Sequence, residues 1–172
     1  QGRADPYHAL FGDVPTVCLR VPTGGGKTLL AAHSVALAGK AVLDTDTTAL
    51  RGAGLSARKS EYLADLARHF HEGTVHVRQW QQMEDESIIE ELVGIRGIGR
   101  WTAEMFLIFH LMRPDVLPLD DLGLIKGISV NYFSGEPVSR AEAREVGDAW
   151  APYRSVATWY IWRSLDPLPV DY

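Results

Sequence analysis

The chain has 172 residues, of which 46% are hydrophobic and 23% are charged, and its formal net charge is −5. This composition is that of an ordinary globular protein whose core can fold without disulfides, and no apolar run approaches the roughly 20 residues of a membrane-spanning helix. Cys18 is the single cysteine of the sequence, which excludes an internal disulfide and a four-cysteine zinc or iron–sulfur site. We expect no membrane partner.

The opening segment, about residues 14–46, is predicted to be α/β. "PTVCLRV" (15–21) is apolar and β-branched, which is typical of a short buried strand. "KTLLAAHSVALAG" (27–39) has apolar residues at helical spacing and stops at a glycine, which predicts a helix. "KAVLDTD" (40–46) is a candidate second strand.

A glycine-rich stretch, "PTGGGKT" (22–28), lies between this strand and this helix, which is the context of a nucleotide-binding P-loop. Its amides can cradle phosphates, its lysine can reach the terminal phosphate and its threonine can hold Mg²⁺. With Val21 where the full motif has glycine, it resembles the P-loop segment of the helicase subunits of type III restriction enzymes. The other strands of such an ATPase do not follow in the sequence, so we expect neither ATP hydrolysis nor a need for ATP and Mg²⁺ as cofactors. Nucleotide binding by a fragment of such a helicase remains an alternative. The residues concerned are Gly24, Gly26, Lys27 and Thr28.

From about residue 47 the apolar periods become helical, which predicts a boundary between an opening unit, 1–46, and a helical unit, 47–172. The first long helix, 56–73, is predicted to open with Ser56 as its N-cap and to stop at Gly73. Its apolar face carries Tyr62, Leu63, Leu66 and Phe70. Further helices are predicted over 86–95, 100–112, 139–150 and 153–165, and the stretch 117–133 is predicted to form a turn and then a helix. Ser139 and Glu142 are spaced as a capping box for the helix at 139–150.

The stretch "VGIRGIGRWTAEMF" (93–106) places two glycines between two of these helices. The glycines allow a tight hairpin and close approach of a ligand to the backbone. The helix that follows presents free N–H groups and the positive end of its dipole, which suit an anion such as a DNA phosphate. A plain turn between two packed helices is the alternative. The acidic net charge argues mildly against nucleic acid, but cations cluster around the hairpin: Arg96, Arg100, Arg113 and Lys126.

The longer stretch "IRGIGRWTAEMFLIFHLMRPDVLPLDDLGLIKGI" (95–128) strongly resembles the helix-hairpin-helix glycosylase superfamily, in particular the DNA-3-methyladenine glycosylase II family. "LRGAGLSARKSEYLADLARHF" (50–70) and "WAPYRSVATWYIWRSLD" (150–166) extend the resemblance from about residue 49 to the end. It implies a mainly α fold, a helix-hairpin-helix glycosylase-type bundle, here with a short strand–P-loop–helix segment in front.

The resemblance also implies roles for individual residues. The hairpin Gly97, Ile98, Gly99 and Arg100 would bind a DNA phosphate next to the lesion. A monovalent cation, Na⁺ or K⁺, often joins that contact in the family, held here by the backbone carbonyls of Val93, Ile95 and Ile98; no other cofactor is expected. The family's aspartate matches the second acid of "LPLDDLG", Asp121.

An aspartate suits cleavage of an N-glycosidic bond, because positive charge builds on the deoxyribose as the base leaves. A fixed carboxylate near that sugar stabilises the cation and can orient the attacking water. The start of a predicted helix favours its ionised form. The alternative is structural: Asp121 is only a helix cap, or Asp120 is that cap.

Aromatic side chains suit a pocket for an alkylated, electron-poor base, which is extruded from the duplex and stacked on ring faces. By the resemblance Trp101 and Trp162 belong to that pocket, with Tyr160 beside them, whereas Trp159 is predicted to lie in the core. Bifunctional members of the superfamily carry a lysine where Trp101 stands, so the resemblance implies a monofunctional enzyme that leaves an abasic site.

The sequence therefore predicts a base-excision repair DNA glycosylase that hydrolyses alkylated purines such as 3-methyladenine in double-stranded DNA, in the bacterial cytoplasm or otherwise inside the cell. Family members usually have further helices before the position of Leu50, and these carry the side chain that fills the gap left by the flipped base. A domain without them is expected to be less active. A DNA-binding module without a complete pocket is therefore the second hypothesis, and a nucleotide-binding restriction-helicase fragment is the third.

Overall fold

The computed structural model describes residues 40–166 of the chain. The predicted strand at 15–21, the predicted helix at 27–39 and the tail at 167–172 lie outside the described residues. The P-loop-like stretch also lies outside them, so its predicted nucleotide contacts are untested: Gly24, Gly26, Lys27 and Thr28.

The described part of the chain is helical and contains no strand. Its helices are α1 (Thr47–Gly52), α2 (Ala57–Glu72), α3 (Asp85–Val93), α4 (Arg100–Phe109), α5 (Leu122–Tyr132), α6 (Arg140–Asp148) and α7 (Arg154–Arg163), with a 3₁₀ turn at Trp80–Gln82. No helix within 40–166 has the length and the apolar character needed to cross a membrane.

The predicted second strand at 40–46 is wrong, because residues 40–43 are helical. The Asp44 N–H donates to the Lys40 carbonyl at 2.9 Å, and the Thr45 hydroxyl donates to the Ala41 carbonyl at 2.6 Å. Both bonds span four residues, as in an α-helix. The apolar run here is short, and a short apolar run does not distinguish a strand from a helix.

The described residues fall into two compact units, one ending at Thr74 and one beginning at Val75. In the first unit α1 packs on α2. The Ser56 hydroxyl accepts a hydrogen bond from the Lys59 N–H at 3.3 Å, and Gly73 ends α2 in the left-handed conformation with φ of 70°. Both predicted ends of this helix are confirmed. The predicted boundary near residue 46 is untested, since most of the opening unit lies outside the described residues.

In the second unit α3 packs against α4, and the two are joined by the glycine hairpin. Apolar residues at helical spacing face each other across this pair, and the Trp80 ring meets the Phe106 ring edge-on at 5.0 Å between centroids. The core residues are Ile88, Ile89 and Leu92 of α3, and Ala103, Phe106 and Leu107 of α4. This packing holds the hairpin at one end of the pair.

Helix α5 packs against both α6 and α7 in the same unit. The predicted capping box at the start of α6 is confirmed, since Ser139 and Glu142 each bind the other's backbone N–H. The core of the three-helix group consists of Leu119, Leu124, Ile128, Ala143 and Ile161. Burial of these side chains fixes α5 and α7 side by side.

Helix α4 ends at Phe109, three residues before the predicted end at 112. Met112 follows with a positive φ of 55°, and the chain reaches α5 through a loop with turns at 114–115 and 119–120. This loop is bound to the start of α7: the Ser155 hydroxyl accepts from the Val116 N–H at 2.9 Å, and the Arg154 guanidinium binds Asp115 through two nitrogens at 2.7 and 2.8 Å. The loop therefore holds Asp120 and Asp121 in a fixed position at the start of α5.

Candidate active site

Asp121 is the N-cap of α5. Its Oδ1 accepts a hydrogen bond from the Leu124 N–H at 2.6 Å, which satisfies one of the free donors at the start of the helix. The side chain is half-buried, so it is neither covered by the core nor free in solvent. The carboxylate is thus fixed at the end of a helix with part of its surface accessible.

Two indoles also donate hydrogen bonds to this carboxylate. Trp162 Nε1 donates to Asp121 Oδ1 at 2.8 Å, and Trp101 Nε1 donates to Asp121 Oδ2 at 2.8 Å. A carboxylate only accepts hydrogen bonds, and all three of these neighbours are donors. Trp101 comes from α4 and Trp162 from α7, so three helices meet at one acid. The predicted pocket residues Trp101 and Trp162 therefore lie against the predicted catalytic acid.

The rings of these two tryptophans differ in their surroundings. Phe109 stacks on Trp162 with 5.9 Å between centroids and 16° between planes. Trp101 is 42% exposed, so much of its ring remains open to solvent next to Asp121. An open aromatic surface beside a fixed carboxylate is an arrangement that accepts a flat, electron-poor ring.

Asp120 is placed differently from its neighbour. It forms an ion pair with Arg140 of α6 and is exposed. The alternative that Asp120 caps α5 is therefore wrong, because its side chain points toward α6 while Asp121 binds the free N–H of the helix. Asp121 has the capping role, and its two indole contacts go beyond what a cap requires.

The hairpin lies at the start of α4. Gly97 has φ of 88°, which favours glycine, and Gly99 is the N-cap of α4 with extended backbone. The Ile98 N–H donates to the Ile95 carbonyl at 3.1 Å inside the turn. Both glycines are exposed, and within the described residues no side chain caps this end of α4. The hairpin therefore presents free N–H groups, the donors that an anion binds.

The Arg100 side chain is bound within the protein. It makes two hydrogen bonds to Glu86, at 2.6 and 2.8 Å, and a third from Nε to Glu104 at 3.0 Å. The hydrogen bonds from Arg100 hold the pKa of Glu86 below its ordinary value. Two acids thus compensate the Arg100 charge in this structure, and the phosphate contact at the hairpin, including Arg100, stays a prediction.

Glu104 is a buried acid that sequence analysis missed. It is 4% exposed, and within residues 40–166 no donor reaches its Oε2. Burial raises the pKa of the Glu104 carboxyl, against the opposing effect of Arg100. It lines a polar cavity of about 680 Å³. The available signal was its position four residues after Arg100, where an acid and a base on one helix face pair.

Tyr160 lies apart from the Asp121 group. It is 66% exposed and lines a cleft of about 410 Å³ whose described lining includes Phe109 and Trp159 but not Asp121. The prediction that Trp159 lies in the core is wrong, because Trp159 is 40% exposed and meets Tyr160 edge-on at 5.2 Å. The residues of α7 that are buried are instead Ser155, Thr158 and Ile161.

The predicted cation site consists of backbone oxygens. The Ile95 carbonyl already accepts from the Ile98 N–H, but a carbonyl oxygen has a second lone pair for an ion. Within 40–166 there is no group of three or more His, Cys, Asp or Glu side chains that could hold a metal ion. Ligation of Na⁺ or K⁺ by the backbone carbonyls of Val93, Ile95 and Ile98 stays a prediction.

The fold and the site define a class of protein: a helical domain in which a glycine hairpin leads into a helix, and a tryptophan of that helix binds an aspartate that caps another helix. No family model matches the chain. Known proteins do resemble it. The crystal structure of a DNA-3-methyladenine glycosidase from Bacillus halodurans is 31% identical with a TM-score of 0.70, over 91% of this chain and 71% of that chain.

A second solved structure is the 3-methyladenine DNA glycosylase of Schizosaccharomyces pombe in complex with abasic DNA, which is 34% identical with a TM-score of 0.65, over 73% of this chain and 62% of that chain. DNA-3-methyladenine glycosylase 1 of the same yeast is 35% identical over 124 residues, which are 72% of this chain and 54% of the relative. The chain belongs to the DNA-3-methyladenine glycosylase family, and it spans little more than half the length of this relative.

Proposed function

We propose that the protein is a monofunctional DNA glycosylase that removes alkylated purines such as 3-methyladenine from double-stranded DNA. The observation that carries the proposal is the position of Asp121, held by one backbone N–H and two indole N–H groups at a half-exposed helix end. Membership in the family supports the reaction class, and the yeast relative in complex with abasic DNA supports DNA as the partner. Its place of action is then inside the cell, where the DNA is.

In this mechanism Asp121 acts on the sugar of an everted nucleotide. As the bond to the base breaks, the deoxyribose gains positive charge, and a carboxylate held close to it lowers the energy of that state. Oδ1 accepts two hydrogen bonds while Oδ2 accepts one. Oδ2 therefore keeps more free capacity as an acceptor, and we assign to it the contact with the sugar cation or with the attacking water.

The leaving base is itself cationic when a ring nitrogen of adenine is methylated, so it needs little protonation before departure. The exposed ring of Trp101 supplies a surface on which such a base stacks, and cation–π attraction favours it over an unmodified purine. Tyr160 extends an aromatic surface on α7 but contributes to a separate cleft. In this proposal Trp101 and Trp162 flank the reacting base and sugar, while Tyr160 has a secondary role.

The hairpin is the proposed DNA anchor. The exposed Gly97 and Gly99 let a phosphate approach the free N–H groups at the start of α4. A Na⁺ or K⁺ ion on the carbonyls of Val93, Ile95 and Ile98 would neutralise a second phosphate oxygen. Since Trp101 follows the hairpin on α4, binding of this phosphate brings the neighbouring nucleotide toward Asp121.

The decisive experiment measures release of 3-methyladenine from methylated duplex DNA by the wild type, Asp121→Asn and Asp120→Asn. We expect Asp121→Asn to lose at least about a hundredfold in rate, the usual scale for removing a positioned electrostatic group. Asp120→Asn is the matched control and should stay within a few-fold of the wild type, because Asp120 pairs with Arg140 instead. Equal release by the wild type and Asp121→Asn would reject the mechanism.

The same experiment separates the second candidate function. The alternative is a DNA-binding module without a complete pocket, which the free N–H groups of the exposed hairpin favour because they bind a phosphate without a base pocket. In that case the protein binds duplex DNA with a strong salt dependence and releases no base in either the wild type or the variants.

A further inference from the structure

Two glycines, Gly123 and Gly127, lie four residues apart on α5 and so share one face of the helix. Neither has a positive φ, so the backbone conformation does not require glycine at either position. Glycine inside a helix costs about 1 kcal/mol relative to alanine. A packing reason for both is therefore expected, and we call these two residues the glycine face.

The glycine face is in contact with α7. A Cβ atom on Gly127 would lie 2.2 Å from Cγ2 of Ile161 and 3.1 Å from its carbonyl oxygen. A separation of 2.2 Å is far inside van der Waals contact, and the nearby carbonyl belongs to the backbone, so any side chain here forces α7 away from α5.

The other end of the glycine face meets the candidate active site. A Cβ atom on Gly123 would lie 3.0 Å from Oδ1 of Asp121, and 3.3 and 3.4 Å from Cδ1 and Nε1 of Trp162. These are the partners of the 2.8 Å hydrogen bond that joins α7 to the N-cap of α5. Ile161 and Trp162 are consecutive, so the close approach at Gly127 and the hydrogen bond at Asp121 belong to the same segment of α7.

We propose that Gly123 and Gly127 are positioning residues of the active site, which allow α7 to approach α5 closely enough for the Trp162 indole to hold Asp121 Oδ1. The inference rests on the function proposed above for Asp121. Gly127 sets the distance between the helices, and Gly123 leaves the space through which the indole N–H reaches the carboxylate. Hydrogen bonds weaken steeply once the donor and the acceptor separate beyond about 3.2 Å, so a displacement of a few tenths of an ångström is enough to weaken this one.

The test is Gly123→Ala, with kcat and KM measured for release of 3-methyladenine from methylated duplex. We expect kcat to fall by roughly tenfold, the scale of one weakened hydrogen bond to a charged group, with KM unchanged. The ¹H–¹⁵N resonance of the Trp162 indole, assigned with Trp162→Phe, should move toward the position of an unbonded indole. Gly52→Ala is the control, because a Cβ there meets nothing within 4 Å, and it should change neither readout.

A double variant distinguishes positioning from a general effect on the fold. Trp162→Phe removes the Nε1 atom that a Cβ on residue 123 would press against. If Gly123 acts through the indole, adding Gly123→Ala to Trp162→Phe should lower kcat by less than twofold, although the 3.0 Å approach of the Cβ to Asp121 Oδ1 persists in that background. A further tenfold loss in that background overturns the proposal, as does an unchanged Trp162 resonance in Gly123→Ala.

Two remaining outcomes are also informative. If Gly123→Ala alone fails to fold, recovery of the folded protein by Trp162→Phe supports the proposed contact, and failure to recover overturns it. If the wild type releases no base, the function proposed for Asp121 fails by itself. The indole resonance still decides whether Gly123 positions Trp162.

Discussion

The indole N–H of Trp162 donates a 2.8 Å hydrogen bond to Asp121 Oδ1, across 41 positions of the sequence. The bond joins the last described helix to the N-cap of α5, and Trp101 makes the equivalent bond to the other carboxylate oxygen. Each tryptophan thus uses its one hydrogen-bond donor, the indole N–H, to orient the Asp121 carboxylate. Because the hydrogen bonds lie in the ring planes, they do not cover the ring faces; Phe109 stacks on Trp162, and the Trp101 ring remains largely exposed.

Removal of either indole donor should weaken catalysis without removing the aromatic ring. Trp162→Phe and Trp101→Phe each delete one hydrogen bond to a charged group, worth about 1.5–3 kcal/mol. We expect kcat for 3-methyladenine release to fall roughly ten- to hundredfold in each. Trp150→Phe is the control, because its indole donates to the Tyr132 hydroxyl at 3.2 Å and not to Asp121. A normal kcat in both test variants would contradict the orienting role.

The hairpin glycines should separate DNA binding from stability. A Cβ atom on Gly99 would meet no other atom within 4 Å and its φ is not positive, so Gly99→Ala should lower stability only by the cost of alanine at an N-cap, below about 1 kcal/mol. Its new methyl group obstructs the backbone donors, and we expect weaker binding to duplex DNA. Gly97→Ala should also lower stability by about 1–2 kcal/mol, since its φ is 88°. Titration of labelled duplex at two salt concentrations, together with thermal melts, measures both effects. Unchanged duplex affinity in Gly99→Ala would argue against the anchor.

Glu104 should make the protein less stable as the pH rises. Burial raises the pKa of this carboxyl in the folded state above the ordinary value of 4.5, so the folded protein holds the proton more tightly than the unfolded chain. The stability from this group is present below pH 4.5 and is lost as the pH rises through the folded pKa. Glu104→Gln does not ionise, so the variant does not lose this stability as the pH rises. Its melting temperature relative to the wild type should therefore increase above pH 4.5, by about 2–4 °C for each ~1 kcal/mol.

Glu86 provides the comparison of opposite sign. The hydrogen bonds from Arg100 lower its pKa below 4.5, so its contribution is present above pH 4.5 and is lost as the pH falls through the folded pKa. Glu86→Gln should melt slightly below the wild type at neutral pH, and the difference should shrink on acidification. The effect is small because the Glu86 side chain is 60% exposed. If both variants responded to pH in the same direction, the assignment of the two acids would be wrong.

Two hydroxyls on α7 should respond oppositely to removal. Among the described residues Thr158 is fully buried and its Oγ1 has no hydrogen-bond partner, so Thr158→Val should leave the melting temperature unchanged or raise it. Ser155 accepts from the buried Val116 N–H. Ser155→Ala leaves the Val116 N–H without an acceptor and should lower the free energy of unfolding by about 1–3 kcal/mol. Thermal and urea unfolding of the two variants side by side measure the contrast, and a destabilised Thr158→Val would indicate a partner for its hydroxyl.

Several local elements could be predicted because their signals are local. The cap at Ser56, the stop at Gly73 and the capping box of Ser139 and Glu142 involve residues within a few positions of each other, so the sequence carries the whole interaction. The strand predicted at 40–46 was wrong for a related reason: a short apolar run carries no period. On α7 aromatic and apolar residues occupy every face, so periodicity did not reveal that Trp159 is exposed.

The sequence by itself determined the helices from α2 to α7, the hairpin and, through its resemblance to a family, the identity of Asp121, Trp101 and Trp162 as candidate site residues, whereas α1 and the helical residues 40–43 were not predicted. Only the tertiary structure decided that both indoles donate to one carboxylate, that Arg100 binds Glu86 and Glu104, and that Tyr160 lies in a separate cleft. The reason is physical: a cap or a turn depends on neighbours in sequence, whereas these contacts depend on how closely packed helices approach one another.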